Sequence, residues 1–169
     1  DADILSLYAE AEMIATPGDS AWDAAGKPVG RMGEVADRLE ALLARQPDHT
    51  GINHYMVHAV DARSVAHRGV AAADRLGRLA PASAHLVHMP GHIYTWVGRF
   101  GDAVRVNQQA LAADAAFADQ VRAQGFTVSK DWRGHNAHFL WFAAVMDGQE
   151  QGALDATRQL GDVVAARQD

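Results

Sequence analysis

Apolar residues recur along this chain at the spacing of amphipathic helices, and short groups of turn-forming residues interrupt them. The segment from about Met32 to Arg45 has this pattern and stops before Pro47, and an earlier segment, from about Asp3 to Ala15, is also helical in pattern. The stretch between them, TPGDSAWDAAGKPVG, is rich in glycine, proline and aspartate, which favours a loop. The first 49 residues therefore predict two helices joined by a loop.

A repeat with a period of 34 residues begins at Thr50. Residues 50–81 (TGINHYMVHAVDARSVAHRGVAAADRLGRLAP) align without a gap with residues 84–115 (AHLVHMPGHIYTWVGRFGDAVRVNQQALAADA). The second copy places Gly98 at a turn between two helices, and Pro81 ends the first copy where Asp114 and Ala115 end the second. Each copy accommodates two helices, A and B, which stack on the next copy because neither buries its apolar face alone.

A third unit runs from Gly134 to Arg167, with Gly148 at the turn between its helices. About 16 additional residues, Phe117 to Trp132, separate it from an unbroken 34-residue period. We expect these residues to extend helix B of the preceding copy to Gln124, to stop it at Gly125 and then to form a loop.

These features resemble a known repeat family. Gly98, Phe100, Ala103, Ala110 and Asp114 occupy the places of the turn glycine, the aromatic, the two small packing residues and the terminator of the tetratricopeptide repeat (TPR). The stretches INHYMVHAVD, HLVHMPGHIYTWVGRFGDAV and GHNAHFLWFAAVMDGQ resemble a histidine-rich bacterial branch of that family. The resemblance implies an all-α, TPR-like α-solenoid of about four helix pairs, the first of them degenerate. It implies a single domain, 1–169, divided into units 1–49, 50–83, 84–133 and 134–169.

Composition agrees with a helical globular protein. Hydrophobic residues make up 49% of the chain and charged residues 21%, alanine and leucine dominate, and β-branched residues are sparse. This bias favours helix, so we expect almost no strand. The absence of cysteine excludes disulfides and thiolate ligands, and leaves histidine, carboxylates and tyrosine as candidate metal ligands.

Charge and hydropathy exclude several classes of partner. The net charge is −6 and no run of lysine or arginine offsets it, which disfavours nucleic acid and anionic membrane surfaces. No apolar stretch approaches the roughly 20 residues of a transmembrane helix, and no signal peptide is evident, so we expect a soluble chain of undetermined location and oligomeric state. Because it opens at Asp1 without an initiator methionine, we expect a processed product or a piece of a longer chain.

Histidines recur at three positions of the repeat. Counted from the start of each unit, position 2 holds Gly51, His85 and His135, position 5 holds His54, His88 and His138, and position 9 holds His58, His92 and Phe142. Positions related by three and seven residues lie on one stripe of helix A, and the TPR resemblance implies that this stripe faces the concave groove. We expect the stripes of neighbouring A helices to converge, because packed helix axes lie about 8–10 Å apart.

The histidine pattern predicts a transition-metal site. Two histidines four residues apart on one helix form a two-ligand arm, and the two copies each contain such a pair. We predict one or two ions held by His54, His58, His88, His92 and His138, with His85, His135 and Asp61 as further ligands or as partners that orient the ligands. Imidazole ligands favour zinc, copper, iron or nickel over calcium or magnesium. An open coordination position would permit water activation or oxygen chemistry, but nothing in the sequence selects a reaction.

Two other interpretations of the same histidines stay open. They can be structural residues that hydrogen-bond between helices. They can also line a groove that binds a peptide or partner protein without metal, which is the usual role implied by the TPR resemblance. The stripe carries almost no lysine or arginine, which disfavours acidic peptides. A nucleotide cofactor and serine-hydrolase chemistry are not expected, because the chain contains no glycine-rich phosphate loop and no GxSxG motif.

Two neighbouring residues each have two candidate roles. Pro90 lies between His88 and His92 and is predicted to kink helix A, the alternative being that the helix begins at Pro90. Asp61, one turn beyond His58, is either a carboxylate that serves the histidines or a solvated surface residue.

The remaining candidates are assigned mainly to packing or to the surface. The packing candidates are Tyr55, Tyr94 and Trp141, of which Tyr94 is also a candidate groove hydroxyl, and the surface candidates are Glu10, Glu12, His49 and His67. The loop with Phe126, Asp131, Trp132 and Arg133 directly precedes His135, so it is either a cover for one end of the groove or a passive insertion.

Overall fold

The chain folds as a series of α-helices in the computed structural model, which describes residues 1–16, 21–128 and 132–165. The first two helices are α1 (Ala2–Ala15) and α2 (Met32–Leu43). The next two are α3 (Thr50–Ala59) and α4 (Val70–Leu79), with a 3₁₀ turn at Ala66–Gly69 before α4. They are followed by α5 (Ala84–His88), α6 (Pro90–Trp96), the long α7 (Phe100–Ala123), α8 (Arg133–Met146) and α9 (Glu150–Ala165). Over these residues the only extended pairing is a lone antiparallel bridge between Trp22 and Pro28, so the expectation of almost no strand is confirmed.

The helices pack in the order in which they occur along the chain. α1 and α2 both contact α3, α3 packs on α4, and α4 packs on α6. α5 and α6 lie against α7, α7 packs on α8, and α8 packs on α9. Such contacts between helices that are close in sequence are typical of a helical repeat array.

Medium-sized and small side chains fill the core. Met32, Leu39, Ile52 and Met56 are fully buried between α2 and α3. In the second half of the chain the fully buried residues are mostly alanines, which allow neighbouring helices to approach closely. These alanines are Ala103 and Ala110 of α7, Ala137, Ala143 and Ala144 of α8, and Ala156 of α9.

The predicted turns lie at the predicted glycines. Gly98 and Gly148 have φ values of 77° and 72°, in the left-handed region that favours glycine, and each separates two helices. α7 ends at Ala123, one residue before the predicted end, and Gly125 follows with a φ of 81°. Pattern alone therefore located the C-terminal end of the long helix to within one residue, and the two inter-helix turns.

The loop before α2 is anchored by a residue that the sequence pattern did not single out. Trp22 is buried, and its Nε1 donates a hydrogen bond to the carbonyl oxygen of Ala59 at 2.6 Å. This bond ties the loop to the end of α3. The part of the predicted loop at 17–20, Asp131 of the loop before His135 and the predicted end of the last unit at Arg167 lie outside the described residues. Among the helices that the structure describes, none has the combined length and apolar character needed to cross a lipid bilayer.

Candidate metal centre

The first group of histidines comprises His54 and His58 of α3 and His85 of α5, and is called the His54 cluster. Nε2 of His54 lies 3.1 Å from Nε2 of His58 and 3.1 Å from Nε2 of His85. The ligand atoms of all three lie within 4.8 Å of one another. Three nitrogens bound to one tetrahedral zinc ion lie roughly 3.3 Å apart, so this spacing is close enough to hold a metal.

The second group comprises His88 of α5, His92 of α6 and His135 of α8, and is called the His88 cluster. Nε2 of His88 lies 2.9 Å from Nε2 of His92 and 3.0 Å from Nε2 of His135. These atoms also lie within 4.8 Å of one another. His88 is 1% exposed, His92 is half-buried and His135 is exposed at the start of α8.

Both clusters follow one rule in terms of repeat positions. Each takes positions 5 and 9 of one A helix and position 2 of the next A helix along the chain. The first turn of the later helix therefore lies beside the second half of the earlier one. The series stops at Gly51, which occupies position 2 of the first full repeat, and at Phe142, which occupies position 9 of the last.

Burial favours the neutral form of His54, His58, His88 and His135. Burial lowers the pKa of His54 to about 3 and that of His58 to about 4, and neighbouring imidazoles add to both effects. Burial also lowers the pKa of His88 to about 3, with a further contribution from His92, and it lowers the pKa of the more exposed His135. A neutral imidazole carries a proton on only one nitrogen, so the other nitrogen keeps a lone pair that can bind a metal.

Two hydrogen bonds outside the His88 cluster determine where those protons lie. Nδ1 of His88 is 2.7 Å from Oδ1 of Asn107, whose Nδ2 donates to the carbonyl oxygen of Ala103 at 2.8 Å. Nδ1 of His92 is 2.8 Å from Oδ2 of Asp61. Since both partner oxygens only accept, both Nδ1 atoms donate, and in the neutral rings both Nε2 atoms are without hydrogen. When both rings are neutral, the two Nε2 atoms, 2.9 Å apart, direct lone pairs at each other.

Asp61 is engaged through both of its oxygens. Its Oδ2 accepts from His92, and its Oδ1 accepts from Nε1 of Trp96 at 2.7 Å. Burial opposes ionisation of Asp61, but the hydrogen bonds from His92 and Trp96 outweigh it and hold the pKa of Asp61 below its usual value. The carboxylate thus contacts the side of His92 opposite the cluster, which is the position of a partner that orients a ligand.

Aromatic rings contact both clusters. Phe139 contacts all three rings of the His88 cluster, at centroid distances of 4.8, 4.4 and 4.9 Å for His88, His92 and His135. The Trp132 ring lies between the clusters, 5.3 Å from His85 and 5.8 Å from His135. Trp132 belongs to the loop that was interpreted as either a cover for one end of the groove or a passive insertion, and its ring contacts the histidines.

The structure shows which of the predicted site residues lie together. Seven of the eight lie in or directly against a cluster, and His85 and His135, predicted as further ligands or orienting partners, are full members. His138 is in neither cluster: it is exposed and stacks on Trp141 at a centroid distance of 5.9 Å. It lies apart because position 9 of its helix is Phe142, so no second imidazole accompanies it.

Other predicted roles are settled by contacts. Pro90 is the first residue of α6, as in the alternative, but His85 and His88 precede it on the short helix α5. Met89 between the two helices keeps helical dihedral angles (φ −50°, ψ −39°), so helix A is interrupted at Met89. The hydroxyl of Tyr94 donates to Asp74 at 2.9 Å, which makes Tyr94 a packing residue and not a partner of the histidines. His49 was assigned to the surface, but it is half-buried and its Nδ1 accepts from the amide of Ile52, capping α3.

The surface and packing assignments have further outcomes. Glu12 pairs with Arg31 at 3.0 Å, away from the clusters. Glu10 hydrogen-bonds Tyr55, whose pKa is raised by burial and by that bond. His67 is exposed as expected, but it lies in the 3₁₀ turn and not on helix B.

Two residues of the site were missed by sequence reasoning. Asn107 is fully buried in α7, and an asparagine among the apolar and alanine positions of a buried helix face was the signal that could have identified it. Phe139 carries no such signal, because an aromatic residue on helix A is equally suited to the core.

Comparison with known proteins shows the fold. No protein-family model matches the chain, and no curated protein sequence matches it. A point mutant of MamA superimposes with a TM-score of 0.66 at 15% sequence identity, over 96% of this chain and 77% of that chain. MamA AMB-1 superimposes with a TM-score of 0.67 at 14% identity, over 98% of this chain and 74% of that chain. The chain therefore has a TPR-like helical-repeat fold similar to that of MamA.

Proposed function

We propose that this TPR-like scaffold binds transition-metal ions at two three-histidine sites, the His54 cluster and the His88 cluster. One observation carries the proposal. In the His88 cluster, Nε2 of His88 and Nε2 of His92 are 2.9 Å apart while both Nδ1 atoms donate outward, so in the neutral rings two lone pairs face each other. This arrangement is repulsive unless a positive charge lies between the two nitrogens.

That positive charge is either a proton on one imidazole or a bound metal ion. A proton bridges only two nitrogens, whereas His135 and, in the other cluster, His85 bring a third nitrogen to about the same distance. A metal ion accounts for three converging nitrogens with one assumption. The donor set, three neutral imidazoles, suits zinc, copper, nickel or iron.

Three protein ligands leave one position of a tetrahedral ion free. Zinc sites that keep such a position hold water or substrate there, whereas structural sites are closed by a fourth protein ligand. An ion in either cluster could therefore activate water or bind a small ligand, and we assign no reaction.

The decisive experiment is metal analysis and titration of protein purified without a histidine tag. We expect uptake of two Zn²⁺ or Co²⁺ ions per chain, and loss of one ion in His54→Ala and in His135→Ala. His138→Ala is the matched control, because His138 lies on the same helix as His135 but in neither cluster; it should retain both ions.

Two results would contradict the proposal. One is a protein that is purified without metal and takes up no ion at free metal concentrations below about 1 μM. A dissociation constant above that value would be weak for a site with several imidazoles. The other is equal loss of metal in His138→Ala and His135→Ala. A metal-free groove that co-purifies with a peptide would instead favour the interaction module, which stays an open prediction.

A further inference from the structure

The two clusters differ in how their imidazoles are held from outside. In the His88 cluster, two of the three rings have an acceptor at Nδ1, the amide oxygen of Asn107 and the carboxylate of Asp61. Within residues 1–16, 21–128 and 132–165, neither His54 nor His58 has a hydrogen bond at Nδ1. Both clusters therefore have three nitrogen donors at similar spacing, but within the described residues outer hydrogen bonds at Nδ1 hold His88 and His92 and do not hold His54 or His58.

Such support matters for metal affinity. An outer acceptor fixes both the orientation of the imidazole and the nitrogen that carries its proton, so the ring need not reorganise when the ion arrives. A carboxylate acceptor also increases the electron density on the ligating nitrogen, and loss of an outer partner typically costs 10- to 100-fold in affinity. The Phe139 ring adds steric restraint, since it contacts every ring of the His88 cluster.

We propose that the His88 cluster is the higher-affinity site and fills first, and that Asp61 is the positioning residue that sets this order. The inference rests on the proposed function and deepens it, by assigning unequal roles to two sites that look alike in the sequence. The His88 cluster is then the site that retains its ion, and the His54 cluster is the site where an ion exchanges.

Asp61 contacts a cluster other than the one that its position in the sequence suggests. Asp61 follows α3, three residues after His58, so sequence proximity pairs it with the His54 cluster. Its carboxylate instead reaches α6, where it accepts from His92 and Trp96 at 2.8 and 2.7 Å. Among His54, His58, His88, His92 and His135, His92 is the one with a carboxylate bonded to its Nδ1 in the described residues.

The test separates the two sites and then removes the carboxylate. In His54→Ala only the His88 cluster is complete, and in His135→Ala only the His54 cluster is complete. Zn²⁺ affinity is measured for each variant by competition with a chelating indicator. We expect His54→Ala to bind Zn²⁺ at least about tenfold more tightly than His135→Ala.

Asp61→Asn is then added to each variant. We expect a 10- to 100-fold loss in the His54→Ala background and a change of less than about threefold in the His135→Ala background. A residue with a merely structural role would weaken both sites alike, so this selectivity identifies positioning. Asp61→Glu, which keeps the carboxylate, should recover part of the affinity.

Asp74→Asn is the matched control. Asp74 is another carboxylate that accepts from an aromatic side chain, in this case the Tyr94 hydroxyl, but it contacts no cluster histidine. It should leave both affinities unchanged. Circular dichroism checks that each variant is folded, and His58→Ala replaces His54→Ala if the latter is not.

The outcomes distinguish this inference from the proposal on which it rests. Equal Zn²⁺ affinities of the two isolated clusters, or an equal effect of Asp61→Asn on both, overturn the order of filling but leave two metal sites. Absence of Zn²⁺ binding in both isolated clusters overturns the metal function and, with it, this inference.

Discussion

The tautomer of a histidine in this chain depends on the group that its Nδ1 atom contacts. His88 and His138 occupy the same position of the repeat, but His88 is buried with its Nδ1 against Asn107, whereas His138 is exposed and stacks on Trp141. Burial holds His88 neutral, and the bond to Asn107 leaves its Nε2 free of hydrogen. The chemistry of the imidazole therefore depends on residues that lie far from it in the chain.

The low pKa values of the cluster histidines predict a metal affinity that changes little with pH. Metal ions compete with protons for Nε2. Three imidazoles of ordinary pKa would lose about 10⁴-fold in affinity between pH 7 and pH 5. His54, His58 and His88, with pKa values of about 3 to 4, stay neutral at pH 5. We therefore expect the Zn²⁺ affinity of the His54 cluster, measured in His135→Ala, to fall by less than about 100-fold over this range.

Isothermal titration at pH 7, 6 and 5 measures this change. The folded state must be verified at each pH, because the unfolded chain binds protons at pKa values near 6.5 while the folded cluster does not. Stability of the metal-free protein consequently falls as pH drops below about 6.5. An affinity loss above about 100-fold with the protein still folded would show that the imidazoles titrate normally.

At the level of helices, the kink between α5 and α6 shapes the His88 cluster. Pro90 cannot donate a backbone hydrogen bond, so the helix is interrupted there, yet the helical conformation of Met89 keeps His88 and His92 on one face. Gly91 follows, and a Cβ at this position would lie 2.8 Å from Nδ2 of Asn107. Absence of a side chain at Gly91 thus allows Asn107 of α7 to reach His88.

Gly91→Ala should consequently weaken both the fold and the site. The added methyl group displaces Asn107, which we expect to cost about 1–3 kcal/mol in the free energy of unfolding. The displacement also removes an acceptor from His88 and should lower Zn²⁺ affinity in the His54→Ala background. Denaturant unfolding and the competition assay measure the two effects.

Gly77→Ala is the control for this substitution. Gly77 is in the interior of α4, and a Cβ there would meet no atom within 4 Å. We expect it to stabilise the protein by about 0.5–1 kcal/mol through helix propensity and to leave Zn²⁺ affinity unchanged. If Gly91→Ala behaved like Gly77→Ala, the close approach of α6 and α7 would not support His88.

For the whole molecule, the clusters link successive helix pairs. The His54 cluster joins α3 to α5, and the His88 cluster joins α5 and α6 to α8. In a repeat array each unit contacts mainly its neighbours, so stability depends on the interfaces between units. An ion in each cluster would strengthen two consecutive interfaces at the A helices.

Metal binding should therefore raise the thermal stability of the chain. At a free Zn²⁺ concentration of 100 Kd, each site stabilises the folded state by about 2.7 kcal/mol. For a chain of this length this corresponds to a rise in Tm of roughly 5–10 °C per site. Differential scanning calorimetry with and without Zn²⁺ measures it. His138→Ala should show the full rise, and the double variant His54→Ala/His135→Ala should show almost none. An equal rise in the double variant would indicate that Zn²⁺ acts elsewhere on the surface.

Local features of the chain were predictable because they depend on near neighbours in the sequence. The 34-residue period, the turn glycines Gly98 and Gly148 and the end of α7 near Gly125 follow from side-chain spacing and backbone preference. The two-histidine arms follow in the same way, since residues four apart lie on one helix face. The unit boundaries derived from this period stay a prediction.

Only the tertiary structure decided which imidazole completes each arm. From its sequence alone, this chain is an all-helical repeat protein with histidines along its A helices, because helix formation and helix faces are local properties. That His85 joins His54 and His58, that His135 and not His138 joins His88 and His92, and that Asp61 serves His92 depend on the offset between neighbouring helices. That offset is set by close contacts such as Gly91 against Asn107, between residues that are distant in the chain and that no local spacing encodes.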